Sequence, residues 1–302
     1  MVIQLLYTPI MIKLLGRSEY GLYTLVGSFV SYLSLFSLGF TGAYLRFYSK
    51  KKIKNDVKGI AQLNGLFLLL FILMSLAALI CGVILSLFPK QIFGYKLTVK
   101  ELHTAQILMR ILVVNIALTF PSSLLDSIIS AHEKFFFQRI VTLIGILSSP
   151  FLTFPLLLMG YGSVGVVGVT TFITVMKLLV NIVYCNKILH IKFTYIGLDF
   201  RLVREIAGFS VFLCLNMIID QINLSVDKFI LGWVSGTGAV AVYGVGSQIN
   251  ALFLNFSTAI SSVFAPRVNR IAAENRRDMC KEFTKLMIKV GRIQYLILML
   301  VA

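Results

Sequence analysis

The chain has 302 residues, of which 58% are hydrophobic and 13% charged, with a mean hydropathy of +0.90. A soluble domain carries about 25% charged residues, so too little polar surface exists to cover a water-facing globule. The 28 Lys and Arg against 12 Asp and Glu give +16, yet no soluble stretch is long enough to gather that charge into a nucleic-acid-binding fold. Four cysteines (Cys81, Cys185, Cys214, Cys280) lie far apart without CxxC spacing, which argues against a zinc site or a disulfide framework. Met1 leads straight into an apolar run with no basic n-region, so no cleaved signal peptide is expected.

A membrane helix needs about 20 mostly apolar residues. On that basis nine segments are predicted, at 1–15, 20–45, 60–88, 102–130, 137–159, 164–186, 206–232, 239–265 and 286–302. The fold expected is an all-α integral membrane bundle. Pro9, Pro121, Pro150 and Pro155 fall inside segments and should kink or interrupt them, with neighbouring helices satisfying the freed carbonyls.

The stretch "GAYLRFYSKKKIKNDVKG" (42–59) begins a pattern in the loops. Counted with the segment ends that adjoin them (Lys13, Arg139 and Lys289), the loops after segments two, four, six and eight hold 19 Lys or Arg, whereas those after one, three, five and seven hold 5. Strict alternation follows the positive-inside rule. "KKKIK" is therefore a cytoplasmic topology anchor, and the basic loops are expected on the cytoplasmic side.

Shifting the chain by 220 residues lays "LGRSEYGLYTLVGS" (15–28) over "SGTGAVAVYGVGSQ" (235–248), matching Gly16 with Gly236 and Tyr23 with Tyr243. Both stretches join an outer loop to an inward-running helix, which predicts a parallel repeat of six helices in two lobes. The expected division is an N-terminal lobe at 1–189, a cytoplasmic linker at 190–204 and the start of a C-terminal lobe at 205–302. Residues 204–220 would pair with positions before Met1, so a fragment cut at both ends is expected, with the second lobe holding three of its six helices.

"GYGSVG" (160–165) has the spelling of a dinucleotide fingerprint, but a membrane span precedes it and the next acid, Asp199, comes too late. It reads as a tight turn outside the membrane. The sequons "NLS" at 223 and "NFS" at 255 lie inside segments and are chance matches. The outer loops offer two acids, Glu19 and Glu101. His103, His132 and His190 sit at segment edges, and "AHEKFF" is not HExxH, so no catalytic set is legible.

Charges within the bilayer each cost about 2.5 kcal/mol or more and usually turn inward for a reason. Lys177, twelve residues from Gly165 and ten from Lys187, is placed near the midplane, facing a cavity or pairing with a carboxylate such as Asp220. Arg110 lies about 12 Å in from the outer end of segment four, where cavity and structural pairing are equal alternatives. Arg46 sits one turn above the cytoplasmic lysines, with snorkelling as its plainer account. Asn216, Asp220, Asn223 and Asp227, spaced 4, 3 and 4, share one face of segment seven. They line a cavity, with Asp220 coupling a cation or proton, or they make interhelical hydrogen bonds.

"LLGRSEYGLYTLVGSFVSYLSLFSLGFTGAYLRFYSK" (14–50) resembles the first outer loop and second helix of bacterial polysaccharide flippases, the Wzx-type O-antigen and capsule exporters. "DKFILGWVSGTGAVAVYGVGSQI" (227–249) and "GYGSVGVVG" resemble the joins between helices seven and eight and between five and six of that family. The resemblance implies a two-lobe fold shared with multidrug and toxic-compound extruders (MATE) and lipid II flippases, in the MOP superfamily. It also implies a cargo of undecaprenyl-diphosphate-linked oligosaccharide moved to the outer leaflet of the bacterial cytoplasmic membrane. A proton or sodium gradient would drive the movement without another cofactor, and a glycan polymerase and assembly proteins are candidate partners. Arg46, Arg110 and Lys177 are then the candidates for the diphosphate. The alternatives are a drug or small-molecule exporter, or a lipid II flippase, of the same superfamily and, from another class, a membrane glycosyltransferase or polymerase.

Overall fold

The structure, a computed structural model, describes residues 2–37, 40–93, 97–195, 200–274 and 279–301. In chain order the helices are α1 (Val2–Leu15), α2 (Arg17–Ser31), α3 (Phe40–Ile53), α4 (Val57–Ser86), α5 (Pro89–Phe93), α6 (Val99–Ala131), α7 (Phe135–Leu158), α8 (Gly162–Lys187), α9 (Phe200–Ser235), α10 (Thr237–Glu274) and α11 (Met279–Val301). No strand occurs among the described residues. Among the described residues, six stretches, Arg17–Ile53, Val57–Ser86, Val99–Ala131, Phe135–Leu158, Gly162–Lys187 and Thr237–Asn255, are long and apolar enough to cross a bilayer. The chain is a multi-pass membrane protein. The described residues of the nine expected segments are mainly helical, and six stretches among the described residues meet that measure of a crossing.

Segment two is not one helix. Between α2 and α3 the chain tightens into a 3₁₀ turn at Tyr32–Ser37. Ser28, Ser31, Ser34 and Ser37 recur every third residue, the period of a 3₁₀ helix. Ser31 and Ser34 each donate their hydroxyl to the carbonyl three residues back, at 2.6 Å. Such back-bonding competes with the α-helical ladder.

Conversely, the prolines interrupt nothing: α1 runs through Pro9, α6 through Pro121, and α7 through Pro150 and Pro155. Pro121 has no N–H for the carbonyl of Ala117, four residues earlier. Ser75 of α4 donates its hydroxyl to that oxygen at 2.7 Å.

By contacts the chain forms two units, one of Ile10–Ala241 and one of Met1–Pro9 with Val242–Ala302. In the smaller, Thr8 donates to Gln248 Oε1 at 2.9 Å, and Gln294 Nε2 donates to the Ser257 carbonyl at 3.3 Å. In the larger, α6 stands in the middle, packed by α2, α3, α4, α5, α7 and α8. Its fully buried Leu108, Met109, Leu124 and Ile128 meet the Tyr44, Phe67 and Phe71 cluster.

The larger unit has two chemically distinct ends. At one, α3, α4 and α6 meet the 190–195 segment. There Tyr48 donates to His132 Nε2 at 3.2 Å, Thr194 N–H to Ala61 O at 3.0 Å, and Asn64 Nδ2 to Lys192 O at 3.2 Å. Lys50, Lys51 and Lys52 make ion pairs with Glu205, Asp56 and Glu133 at 3.4–3.6 Å; at this exposure they add little stability. Asp56 caps α4 by accepting from Gly59 N–H at 2.8 Å. That bond first, then Lys51, holds its carboxyl below the usual range. At the opposite end, Ser18 of α2, Glu101 of α6 and Thr237 of α10 meet, and Trp233 donates to Ile92 O at 3.2 Å. The basic loops 54–56, 132–134 and 188–195 thus share one end.

Gly16 and Gly236, superposed by the 220-residue shift, have φ of +80° and +83°, and α2 and α10 begin at the next residue in each case. Gly21, one turn into α2, sits so close to α10 that a Cβ would fall 1.8 Å from Thr237 O.

Ser75→Ala should lower stability by about 1 kcal/mol. In a Pro121→Ala background, where Ala117 regains its helical donor, the same change should cost much less. Thermal unfolding of the four purified forms checks this; equal losses in both backgrounds would show that Ser75 does not answer Pro121.

Candidate functional site

Helix α6 carries Asn115, Thr119, Ser123, Asp126 and Ser130 at spacings of 4, 4, 3 and 4, one helical face. Helix α8 carries Thr171, Thr174, Lys177 and Asn181 at 3, 3 and 4. These faces meet in a polar seam. Asn115 Nδ2 donates to Thr174 Oγ1 at 2.9 Å and more weakly to Thr171 Oγ1 at 3.4 Å. Further along, Asp126 accepts from Lys177 Nζ at 2.6 Å on one oxygen and from Asn181 Nδ2 at 2.9 Å on the other. Gln138 of α7 closes the arrangement, donating to the Asp126 carbonyl at 3.1 Å while accepting from Ser130 at 3.0 Å.

The partner of Lys177 is therefore Asp126, not Asp220. Asp126 lies five residues from the end of α6 and Lys177 ten from the end of α8, about 8 and 15 Å of helix rise. The pair thus occupies the half of the bundle nearer the basic loops. The Lys177 and Asp126 side chains keep 32% and 21% of their surface exposed. Beside them a groove of about 240 Å³ runs between α7 and α8, lined by Val141, Ile144, Ser148, Phe172, Ile173 and Lys177 among others. Lys177 is its one charged lining residue.

The other residues singled out by sequence are not drawn to this pair. Arg110 is exposed on α6, sixteen residues before Asp126, about 24 Å along the helix and about 160° around it. Arg46 is exposed on α3. Asn216, Asp220, Asn223 and Asp227 form an exposed stripe on α9. Gln221, on another face of α9, donates to Ser31 Oγ at 2.6 Å and to Ser225 Oγ at 2.7 Å. Asp126 escaped the sequence reading, although its signal was present. "SSLLDSIIS" (122–130) puts one carboxylate inside an apolar segment, and the rule applied to Lys177 covers it equally.

The acids of the opposite end tie helices together. Glu101 forms a capping box with Thr98, its second oxygen accepting from Ser18 and from Thr237, the latter at 3.1 Å. Glu19 accepts from the Ser163 N–H at 2.7 Å and its hydroxyl at 2.8 Å, at the positive start of α8. "GYGSVG" is the tight turn expected: Gly160 takes φ +83° to end α7, with Tyr161 N–H reaching Leu156 O at 3.1 Å. At Gly162, φ +57°, a Cβ would strike the Glu19 carboxylate.

Residues 1–272 match the family described as "Polysaccharide biosynthesis protein". The chain belongs to this family. A Shigella flexneri protein named "Putative O-antigen transporter" is 24% identical over 262 residues, covering 85% of this chain and 60% of that protein. Among solved structures, the inward-facing conformation of a multidrug resistance MATE family transporter of the MOP superfamily superposes with a TM-score of 0.71 at 18% identity. The match covers 98% of this chain and 68% of the solved chain. The fold is MATE-like and all-α. The chain spans about 60% of the length of the curated relative it matches.

Removing one partner of a desolvated ion pair strands the other charge. Lys177→Met and Asp126→Asn are each expected to destabilise the protein by about 1–3 kcal/mol, the partial exposure of the pair keeping the loss moderate. The double variant should recover much of that loss. Additive losses in a thermal-unfolding cycle would show that the two charges are not coupled.

Proposed function

We propose that the full-length protein is a flippase that moves undecaprenyl-diphosphate-linked glycan from the inner to the outer leaflet of the bacterial cytoplasmic membrane by alternating access. It would serve O-antigen, capsule or exopolysaccharide synthesis. The observation that carries this reading is the Lys177 ammonium inside the helical bundle of a chain of this family. A diphosphate head group is costly to bring into a low-dielectric core, and a cation already held there offsets that cost. Lys177 is the first contact assigned to the diphosphate, with Arg46 and Arg110 as further basic positions along its route.

In this reading the basic end faces the cytoplasm. The lobes are 1–189 and 205–302, joined by the linker 190–204, and rock against each other. The α9 stripe of Asn216, Asp220, Asn223 and Asp227 lines the passage and couples it to a proton or sodium gradient. A glycan polymerase and assembly proteins would take up the product. The fold shared with a multidrug transporter supports a second reading, export of a small molecule.

Deletion of the full-length gene should cause undecaprenyl-diphosphate oligosaccharide to accumulate on the cytoplasmic face, measured by mass spectrometry of membrane lipids. Complementation with Lys177→Ala should restore less than a tenth of wild-type export at equal membrane abundance, and Lys177→Arg considerably more. Loss of drug tolerance without lipid accumulation would move the protein to the exporter class.

A further inference from the structure

The groove between α7 and α8 has a composition that the ion pair alone does not explain. Apart from Lys177, its lining is apolar side chains with Ser148 and Gly145. About 240 Å³ falls short of the roughly 300–1,000 Å³ of a drug-sized site, so it suits a segment of chain and not a whole ligand. A sugar would leave its hydroxyls unanswered on these walls. An ammonium has three N–H donors, and among the described residues the one acceptor at Lys177 is Asp126. Both Asp126 oxygens are engaged, one by Lys177 and one by Asn181. Lys177 therefore retains donor capacity where it lines the groove, and its methylene stem extends the apolar wall.

We propose that this groove binds part of the apolar chain of a phosphate-headed lipid, with the phosphate taken by Lys177 as it leaves Asp126. Asp126 acts as the resting counter-ion: it keeps the ammonium paired in the empty groove and competes with the phosphate when lipid arrives. The assignment deepens the flippase reading and rests on it for the carrier lipid as occupant. A bulk anionic phospholipid offers the same phosphate chemistry.

The test measures lipid binding by thermal shift of the purified full-length protein, with undecaprenyl phosphate, undecaprenol and phosphatidylglycerol as probes. Undecaprenyl phosphate should stabilise the protein and undecaprenol should not. Ser148→Phe, which fills the groove from α7, should weaken apparent affinity at least tenfold, whereas Leu179→Phe on the exposed side of α8 should leave it unchanged. Should Ser148→Phe fail to fold, Val180→Phe obstructs the same groove from α8. Asp126→Asn should tighten binding severalfold by removing the competitor, an effect opposite to that of a merely structural residue. Equal binding of undecaprenol, or unchanged affinity in the filled groove, would overturn the proposal. Phosphatidylglycerol binding as tightly as undecaprenyl phosphate would keep the groove and name a bulk phospholipid as its occupant. Since binding is read without transport, absence of glycan accumulation in the deletion strain would sink the flippase reading and leave this result standing.

Discussion

Inside hydrocarbon no water stands ready to answer a bared hydrogen-bonding group, and the larger unit is arranged around that constraint. The central helix shows how it is met. Pro121 leaves the Ala117 carbonyl without its helical donor, and Ser75 of the neighbouring helix supplies one. Asn115 finds Thr171 and Thr174, and Asp126 finds Lys177 and Asn181. Because α6 is packed by six other helices, its polar side chains can be met from several sides without facing lipid. A peripheral helix has no such choice. Accordingly α7 shows a largely apolar, exposed surface, and its Gln138 turns back to the carbonyl of Asp126.

The same constraint separates the two ends. Where helices leave the bilayer, their first N–H and last C=O groups lack partners, and each end answers them differently. The Ser18–Glu101–Thr237 end uses carboxylates at helix N-termini, where the macrodipole favours negative charge. Glu101 draws the starts of α2, α6 and α10 together, and Glu19 joins α2 to α8. Acids spent in this way are ties between helices. The basic end relies on an aromatic and backbone lattice, with Tyr44 donating to Asn64 and Asn64 to the Lys192 carbonyl. Its lysines remain at the rim, where they neither stiffen the bundle nor enter it.

Much of this was legible because membrane helices obey few and strong rules. Hydropathy located the helices, and the alternation of basic loops anticipated which connections share an end. The 3₁₀ turn at Tyr32–Ser37 was missed because hydropathy does not distinguish an α from a 3₁₀ backbone. Its signal was the three-residue period of the serines, a pattern of spacing and not of apolarity. Lys177 was found by its cost in lipid, but its partner was sought on α9. Sequence places charges along a helix axis and says nothing about which helix lies beside it. Asp126 and Lys177 are 51 residues apart, and only the packing of α8 on α6 makes them neighbours. The prolines do not interrupt their helices, and at Pro121 the freed Ala117 carbonyl is met by a neighbouring helix, as expected.

An ion pair is an expensive way to join two helices. Well-packed apolar side chains of similar volume are often equally stabilising or better, and the rest of the α6–α8 seam is held by neutral hydroxyls and amides. A charge kept at such cost has its best account in what it can do when its partner changes. A transport site must bind its cargo firmly enough to draw it in and loosely enough to let it go. A lone ammonium in a low-dielectric groove would fail on release, holding any phosphate too tightly. A permanent carboxylate beside it lowers the net gain on binding and receives the ammonium when the anion departs. In that proposal the Asn181 amide, bonded to the second oxygen of Asp126, would keep the carboxylate in place while Lys177 is away. Under the proposed flippase function, the pair would serve to exchange an anion more than to hold the bundle together.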